Sequence, residues 1–547
     1  MFTTTLNKFA ARMQMKVPTF IVLMSAYFAL VLNHPVVSKI FELSNNVSDV
    51  WFPYTAPLLL FCAFLIIFSV LAIPYLIKPI MIILTLTSAI ALFAAETYHV
   101  LFSTDMMENV FETNTSEVSF YVNAPSILFV IALGVVPSIL IAMVRFRYHS
   151  SWLKEIAHRL MVVLIGAVGI IVIALTTYKD YASVGRNNHY LSQMIIPAHV
   201  YNTFRYIQKN YLTTPLKYTH LGQDATLTPA PNGKPTLMVF VLGETARGMN
   251  FHQNGYARET NPYTKNLGLI SFQHVSSCGT YTALSVPCMF SNMTRQHYNK
   301  AKANARDNAV DIIAKSGVKT LWIDNDGGDK GVAKHTTLIK INAEKKDKNC
   351  NGSTCYDAEM FADAKQFIQQ DHTNKFLVLH SIGSHGPTYW QRYPDQDARF
   401  KPACNRSDIE NCTDQEITNV YDNTLIYTDY ILSRVITLLK ENASDYNVAM
   451  IYISDHGESL GENGLYLHGT PYAIAPKEQT TVPWLLWLPK QYAQQKQFNL
   501  ACLKQKALHQ PVSHDNVFHT LLGLYGVKTA DKDPTLDLTA NCRQSAQ

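Results

Sequence analysis

The chain has 547 residues, too many for one ordinary hydrophobic core, so two domains are expected. Charged residues make up only 16% of the chain, and its formal net charge is +5 at pH 7. Basic and aromatic residues are nowhere interleaved, so this composition excludes an obvious nucleic-acid binder. The first third is nearly free of charge over long stretches, whereas the rest has the composition of a soluble protein.

Five apolar runs in the first third predict membrane-spanning helices. They cover residues 17–33, 57–77, 79–95, 126–144 and 160–176. Each has about the length needed to cross the hydrocarbon core of a bilayer as a helix. A tight connection at Ile77–Pro79 separates the second run from the third. For one of the shorter runs the alternative is a buried or re-entrant helix. The first could be a signal peptide, but no small-residue cleavage site follows it, so we expect an uncleaved anchor.

The distribution of lysine and arginine predicts the orientation of these spans. The basic residues near span ends are Lys8, Arg12 and Lys16 before the first, Lys78 between the second and third, and Arg145, Arg147, Lys154 and Arg159 between the fourth and fifth. The other two loops hold little positive charge, and the loop after the third span is acidic. The positive-inside rule therefore predicts a cytoplasmic N-terminus, and five spans deliver everything after about Lys179 to the outer side.

Cysteine usage is an independent indication of the compartment. Cys62 lies within a span, and the other eight cysteines follow the spans. Their spacing favours the pairs 278–288, 350–355, 404–412 and 502–542. An even number of clustered cysteines is typical of a disulfide framework in an oxidising compartment, and zinc-ribbon spacing is absent. Topology and cysteine usage together predict a periplasmic or extracellular domain.

These features divide the chain into three segments. Residues 1–179 are expected to form the transmembrane domain, 180–220 a linker with an interfacial helix, and 221–547 the soluble domain. Within the linker, 190–207 has aromatic and aliphatic residues suited to a membrane interface, with a core helix of the soluble domain as the alternative. A stretch rich in Thr, Pro, Gly and Asn marks the boundary at 221–235.

The soluble segment alternates strand-like and helical patterns. The strand-like runs are 235–243, 318–324, 375–381, 448–454 and 482–489. They are short, continuous and rich in branched or aromatic residues, which is typical of a sheet buried on both faces with helices between its strands. We therefore predict an α/β layered domain with a sheet flanked by helices.

Polar residues follow four of these runs. They are Glu244, Asp324 with Asn325, Ser384 with His385, and Asp455 with His456. If the strands are parallel, these groups converge on one edge of the sheet. His468 follows soon after Asp455. A site of Glu, Asp and His ligands suits zinc, whereas a mostly oxygen site suits manganese or magnesium.

The best nucleophile for such a site lies between Cys278 and Cys288, a segment rich in hydroxyl groups. A threonine hydroxyl is a poor nucleophile at neutral pH, and metal coordination would lower its pKa. A disulfide would fix this loop against the following helix, whose N-terminus could bind a phosphate through free amides. By itself the segment is weak evidence, because turns rich in Ser and Thr beside a disulfide are usually only turns.

Four motifs together resemble the lipid A phosphoethanolamine transferases. They are GETAR (243–247), SCGTYTALSVPCMFS (277–291), SHGPTYW (384–390) and SDHGESLGENGLYLHG (454–469). This family belongs to the alkaline phosphatase/sulfatase superfamily and includes the enzymes of mobile colistin resistance. The resemblance covers essentially the whole chain, including the five spans. It implies a periplasmic domain of alkaline phosphatase/sulfatase-like fold behind the transmembrane helices.

The resemblance also implies roles for single residues. Glu244, Thr282, Asp455 and His456 would bind one or two zinc ions, with Mn²⁺ or Mg²⁺ as the alternatives, and Thr282 would carry the phosphoethanolamine. His385 and His468 would line the site, contacting the transferred group or a second zinc. The donor headgroup would contact Lys330, Asn109, Thr113 and Glu117. Without the family, Asn109 and Glu117 read as a solvated loop.

Two departures from the family pattern stand out. Many relatives carry cysteines at the positions of Asp329 and Ala333, so a disulfide is missing here. Tyr281 stands where a small residue is common, which affects the shape of the pocket.

The expected activity is transfer of phosphoethanolamine from phosphatidylethanolamine to a phosphate of lipid A through a phosphothreonine intermediate. It would take place at the bacterial inner membrane, with a monomeric protein and no nucleic acid. Masking anionic charge on lipid A would confer resistance to polymyxins and other cationic peptides. The alternatives are a phosphoglycerol transferase, a phosphate or sulfate ester hydrolase of the same superfamily, or a membrane receptor with a decayed enzyme domain.

Overall fold

The computed structural model describes residues 13–44, 50–113, 118, 121–148, 151–188, 190–214 and 216–543. The chain divides into two compact units, each considered separately below. The first consists of Met1–Met107 and Val122–Lys209, and the second of Glu108–Tyr121 and Asn210–Gln547. Lys8 and Arg12, used above for orientation, lie outside the described residues.

The first unit is a bundle of apolar helices. In the described part of the chain, four helices are long and apolar enough to cross a membrane, and a bent pair is a fifth candidate. The four are Phe52–Leu71, Ile77–Tyr98, Ala124–Met143 and Trp152–Ala182, and the pair is Val17–Leu32 with His34–Leu43. Shorter helices cover Leu191–Met194 and Ala198–Tyr211. Four to five apolar helices confirm the predicted class of this unit.

The bend of 57° in the first pair has a local cause. Pro35 lies in the first turn of His34–Leu43, where its missing N–H costs least. Asn33 fills the break and is buried. Its side chain donates to the carbonyl of Phe28 at 2.9 Å and accepts from the amide of Ile196 at 2.9 Å. These bonds satisfy backbone groups that the break would otherwise leave unpaired.

The boundaries of the second span differ from the prediction. The apolar run continues to residue 77, but the helix ends at Leu71 and the next begins at Ile77. The connection is therefore residues 72–76, and Ile77–Pro79 is the first turn of the following helix. Apolar residues continue through residues 72–77, so composition does not indicate where the first of these two helices ends. Pro79 is tolerated near a helix start, so it does not indicate a break between helices.

Small residues allow two helices of this bundle to pack closely. Cys62, in Phe52–Leu71, is buried against Gly166 and Gly169 of the long helix Trp152–Asn187. A Cβ atom at Gly169 would lie 2.5 Å from the Cys62 sulfur, and one at Gly166 would lie 2.7 Å from the Cys62 carbonyl oxygen. Close backbone approach of this kind is typical of helices that pack within a membrane.

The second unit is built on a seven-stranded sheet. In chain order its strands are β1 (Thr236–Gly243), β2 (Ile270–Phe272), β3 (Lys319–Asp324), β4 (Thr337–Lys340), β5 (Lys375–His380), β6 (Asn447–Ser454) and β7 (Trp484–Trp487). Their spatial order is β2-β7-β6-β1-β5-β3-β4. Strands β6, β1, β5, β3 and β4 are parallel, and β7 and β2 are antiparallel to their neighbours. All five predicted strands are present.

Helices cover this sheet and bury its central strands completely. They are Thr282–Met289, Lys300–Asn304, Ala309–Lys315, Phe361–Gln369, Asp414–Glu441, Lys477–Thr480, Lys490–Gln495, Leu500–His509 and Val517–Tyr525. Every residue of β1, β5 and β6 is buried. The longest helix, Asp414–Glu441, begins at a capping box in which Thr413 and Glu416 bond each other's backbone amides. The layered α/β class predicted from the sequence is confirmed.

Four disulfides join the cysteines of the second unit. They are Cys278–Cys288, Cys350–Cys355, Cys404–Cys412 and Cys502–Cys542, the four predicted pairs. Cys62 is a free thiol. Each bridge closes a loop and restricts the unfolded chain, which is the usual source of disulfide stabilisation.

A fragment from Leu221 to Gln547 should fold on its own, because its buried sheet and four disulfides lie within it. Exported to an oxidising compartment, it should be soluble and bind no thiol reagent when denatured without reductant. The full chain, treated identically, should react at Cys62 alone. Reaction at the eight other cysteines would contradict both the pairing and the compartment.

Candidate functional site

The carboxyl ends of the central parallel strands meet at one edge of the sheet. Gly243 of β1 pairs with Ser454 of β6, so Glu244 and Asp455, the next residues, lie side by side. On the other flank of β1, Leu242 pairs with His380 of β5. The convergence predicted from the strand ends is therefore present.

Glu244, Asp455 and His456 form a compact group of buried side chains. None of the three has any exposed surface. The Nε2 atom of His456 lies 3.3 Å from Glu244 Oε1 and 3.3 Å from Asp455 Oδ2. The Thr282 hydroxyl lies 3.2 Å and 3.3 Å from the two Glu244 oxygens and 3.4 Å from His456 Nε2. The structure thus brings the four predicted ligands together, and their assignment as ligands stays a prediction.

The separations within this group suit a metal ion. Two ligands bonded at about 2.0–2.1 Å in a tetrahedral zinc site lie about 3.3 Å apart. Asp455 Oδ2 is buried without a hydrogen-bond partner. His456 Nδ1 donates to the carbonyl of Gly457 at 2.8 Å, which leaves Nε2 as a lone pair directed at the carboxylates. The residues present therefore fit a divalent cation.

Electrostatics point the same way. Burial, and then the neighbouring Asp455 carboxylate, hold the pKa of Glu244 well above its usual range. Two buried carboxylates in contact are unfavourable unless a positive charge compensates them. Mixed carboxylate and imidazole donors are typical of zinc or manganese sites.

Thr282 is held at the start of a helix. The helix Thr282–Met289 follows Tyr281, which is buried and serves as the N-cap residue. The disulfide Cys278–Cys288 closes the loop around Thr282. Ser285, one turn along the helix, donates its hydroxyl to the Asp455 carbonyl at 2.5 Å. The hydroxyl of Thr282 is therefore fixed relative to the end of β6.

His514 couples the loop to the sheet and was missed by the sequence analysis. Its Nδ1 accepts from the amide of Cys278 at 3.0 Å, and its Nε2 donates to the carbonyl of Ser454 at 3.0 Å. Burial lowers the pKa of His514 to about 4, so the ring is neutral at pH 7. A single histidine so far along the chain carries no sequence signal of this contact.

The turn after β1 is braced by the long helix. Thr245 has a positive φ of 50°, which is uncommon for a residue with a side chain. The hydroxyl of Tyr421, in Asp414–Glu441, donates to the Thr245 carbonyl at 2.7 Å and accepts from the Arg247 amide at 2.9 Å. Gly383 approaches from the loop after β5, where a Cβ atom would lie 2.8 Å from the Glu244 carbonyl oxygen. These contacts set the direction of the Glu244 side chain.

The predicted histidines lie beside the group. The ring of His468 is 4.6 Å from that of His456 and 5.6 Å from that of His385. His468 Nδ1 lies 3.1 Å from Glu458, a buried carboxylate to which sequence analysis gave no role. Burial, and then the charge of His468, hold the pKa of His385 well below its usual range.

Lys330 lies close enough to Glu244 for its positive charge to offset part of the rise in the pKa of that carboxyl. It lines a cavity of about 530 Å³ together with Lys300 and Glu112, among others. Beside it, the Asp329 carboxylate accepts from the Ala333 amide at 2.7 Å. A hydrogen bond thus joins the two positions at which the family resemblance would place a disulfide.

Two of the predicted headgroup residues, Asn109 and Thr113, lie within and directly after the helix Thr104–Glu112. Thr113, one residue past its end, donates its hydroxyl to the Asn109 carbonyl at 2.7 Å. Lys300 pairs with Glu108 and Glu112 of this helix. Glu117 lies outside the described residues.

Two protein-family models match most of the chain. A model described as phosphoethanolamine transferase EptA/EptB matches residues 60–211, and one described as sulfatase matches residues 236–527. The chain is 37% identical over 496 residues to phosphoethanolamine transferase EptA of Escherichia coli strain K12, covering 90% of each protein. It is 34% identical over 509 residues to phosphatidylethanolamine transferase Mcr-1 of Escherichia coli, covering 91% of this chain and 92% of the relative.

Solved structures give the same result. The integral membrane protein lipooligosaccharide phosphoethanolamine transferase A from Neisseria meningitidis superposes with a TM-score of 0.93 and 34% sequence identity. The match covers 96% of this chain and 99% of that one. The soluble domain of the same Neisseria meningitidis enzyme gives a TM-score of 0.59 and 38% identity over 61% of this chain.

Tyr421→Phe tests whether the long helix holds the turn that presents Glu244. The substitution removes two hydrogen bonds, leaving the Thr245 carbonyl and the Arg247 amide unpaired in a buried turn. Unfolding free energy of the Leu221–Gln547 fragment, measured in urea, should fall by about 1–3 kcal/mol.

Tyr430→Phe is the matched control on the same helix. Its hydroxyl accepts only from the exposed Arg434 at 2.8 Å, so stability should change by less than about 0.5 kcal/mol. Equal effects of the two substitutions would contradict the bracing role of Tyr421.

Proposed function

The chain belongs to the phosphoethanolamine transferase family of the alkaline phosphatase/sulfatase superfamily, and we propose that it transfers phosphoethanolamine from phosphatidylethanolamine to a phosphate of lipid A. The observation that carries this proposal is the position of the Thr282 hydroxyl, 3.2 Å from Glu244 in a loop closed by a disulfide. The relatives named above are phosphoethanolamine or phosphatidylethanolamine transferases.

We propose that Glu244, Thr282, Asp455 and His456 hold Zn²⁺, with Mn²⁺ or Mg²⁺ as less suitable ions for an imidazole-containing site. When bound, the ion supplies positive charge that favours ionisation of a hydroxyl and polarises phosphoryl oxygens. The unpartnered Asp455 oxygen and the Nε2 lone pair of His456 support this assignment.

In the first half of the reaction, Thr282 Oγ attacks the phosphorus of phosphatidylethanolamine. The Oγ–P bond forms while the bond from phosphorus to the diacylglycerol oxygen breaks. The hydroxyl proton is lost to water, because Glu244, the hydrogen-bond partner of Thr282, is itself a proposed ligand. His468 protonates the departing diacylglycerol oxygen, and Glu458 orients its ring through Nδ1.

In the second half, a lipid A phosphate oxygen attacks the same phosphorus. The Oγ–P bond breaks, Thr282 Oγ regains a proton from water, and the attacking phosphate gives its proton to His468. The helix that begins at Thr282 directs its first amides towards the transferred phosphoryl group. His385 lines the same pocket beside His468 and contacts the transferred group.

The chain is an integral membrane protein by its apolar helices and its family. We propose that 1–179 is the transmembrane domain of the inner membrane, with a cytoplasmic N-terminus, and that 221–547 lies in the periplasm as a monomer. Four disulfides support the oxidising compartment. Between them, the helix Ala198–Tyr211 supplies the exposed aromatic residues Tyr201 and Phe204, which suit a membrane interface.

Thr282→Ala should abolish transfer, because the alanine leaves no oxygen to accept the phosphoryl group. Mass spectrometry of lipid A from cells with the wild-type protein should show addition of phosphoethanolamine, and cells with the variant should show none. Thr282→Ser should retain part of the activity.

Thr280→Ala is the control, because the Thr280 hydroxyl donates to the Thr470 carbonyl at 2.7 Å and so is already engaged. It should keep transfer. Loss of activity in Thr280→Ala with activity kept in Thr282→Ala would assign the other hydroxyl. Phosphoglycerol on the product, or free phosphate or sulfate alone, would favour the rival activities.

Asn109→Ala should slow transfer from phosphatidylethanolamine in membranes while metal content stays unchanged. We propose that Asn109, Thr113, Glu117 and Lys330 bind the donor headgroup. The hydrogen-bond acceptors among these residues suit an ethanolammonium group, and Lys330 suits the phosphate. Initial rates with labelled phosphatidylethanolamine measure the effect.

Val110→Ala is the matched control on the same helix, since Val110 is 46% exposed and offers no polar group. It should keep the wild-type rate. If a double variant of Asn109 and Glu117 also keeps the wild-type rate, these residues have no role in binding the donor headgroup.

A further inference from the structure

A second group of buried donors shares Glu244 with the site described above. Glu244, Asp326 and His380 each offer one ligand atom, and these atoms lie within 4.8 Å of one another. All three side chains are more than nine-tenths buried. We infer that this group is a second divalent-cation site and that the Glu244 carboxylate bridges two ions. The inference does not depend on the transfer reaction.

The orientation of His380 supports this inference. Its Nδ1 lies 2.8 Å from the carboxylate of Asp324, its neighbour across β3 and β5. The carboxylate therefore holds the hydrogen on Nδ1 and leaves Nε2 as the free lone pair. A carboxylate that orients the far nitrogen of an imidazole in this way is typical of metal-binding histidines.

The free nitrogen of His380 is directed into the group. Nε2 is buried and has no hydrogen-bond partner. It lies 3.6 Å from Asp326 Oδ2, too far for a hydrogen bond. That separation is close to the distance of about 3.3 Å between two ligands of one tetrahedral ion. The geometry therefore fits two ligands of a common ion better than a direct contact.

Buried negative charge surrounds this second group of donors. Three buried carboxylates meet here, because Asp326 and Asp455 each lie beside Glu244. Lys330 lies near Glu244 and Asp326 and supplies one positive charge to these two carboxylates. Lys330 and one divalent ion together balance three carboxylates, so the second site rests on the geometry of its donors.

The donor set indicates which cations are suitable. Two carboxylates and one imidazole match ions that accept both oxygen and nitrogen, which are zinc and manganese rather than calcium. This site is different from the second zinc site that the family resemblance implies, in which His385 and His468 would be the ligands. Its ligands come instead from the end of β5 and from the loop directly after β3.

A competing explanation is that His380 is a protonated, internal cation. Burial lowers the pKa of His380, but the hydrogen bond and charge of Asp324, together with the charge of Asp326, raise it above its usual range. In that case Nε2 would carry a hydrogen, and no metal would be needed beside Asp326. Counting metal ions per chain separates the two explanations.

The experiment uses the full chain in detergent, stripped with a chelator and reloaded with Zn²⁺ before unbound metal is removed. Elemental mass spectrometry should find two zinc ions per wild-type chain. Asp326→Asn and His380→Gln should each bind one, and Asp455→Asn should lose the other. Asp429→Asn is the control, because Asp429 is equally buried but bonded to Thr264 and should leave two ions. One ion in the wild type, or two in both Asp326→Asn and His380→Gln, would overturn the inference.

Manganese gives a second readout that a purely structural role would not change. Two Mn²⁺ ions bridged by one carboxylate are magnetically coupled, so the wild type loaded with Mn²⁺ should lack the resolved hyperfine spectrum of isolated Mn²⁺. Asp326→Asn should restore that spectrum. Unmodified lipid A together with two bound ions would overturn the proposed function alone. Modified lipid A with a single bound ion would overturn this inference alone.

Discussion

The parallel pairing of β1 with β5 and β6 is the constraint on which the rest of the site depends. It places Gly243 beside Ser454 and Leu242 beside His380, so the residues that follow reach the same edge of the sheet. Side chains alternate between the two faces of a strand, so a slip of one residue would reverse their directions. Because both flanking strands are completely buried, that register is strongly specified.

Bringing carboxylates together at this edge costs free energy, and the surrounding polar contacts show how the fold tolerates it. Ser285 and His514 bond the backbone around Asp455, and Tyr421 bonds the turn after Glu244. These bonds satisfy buried backbone groups and fix the positions of Glu244 and Asp455. A preorganised site of this kind avoids reorganisation during phosphoryl transfer, where electrostatic stabilisation is the main contribution.

The nucleophile depends on a different kind of constraint. Thr282 lies at the beginning of a short helix, and the Cys278–Cys288 bridge ties the loop before that helix to its last turn. The disulfide restricts the loop, and we propose that the first amides of the helix bind the transferred phosphate. Since a disulfide persists only under oxidising conditions, the chemistry of the loop and the compartment are linked.

The sequence alone determined the apolar helices, the strands and the cysteine pairs, because each follows from local composition, period or spacing. It also pointed to Glu244, Thr282, Asp455 and His456, since motifs carry residues that stand at strand ends or within a short loop. The contacts of His514, Tyr421 and Glu458 were decided only by the tertiary structure. The grouping of Asp326 with His380 was also decided only by the tertiary structure. In the sequence His380 is simply the last residue of a buried strand, and only the pairing of β3 with β5 places Asp324 beside it. Contacts between residues far apart in the chain depend on strand order and register, which no local pattern specifies.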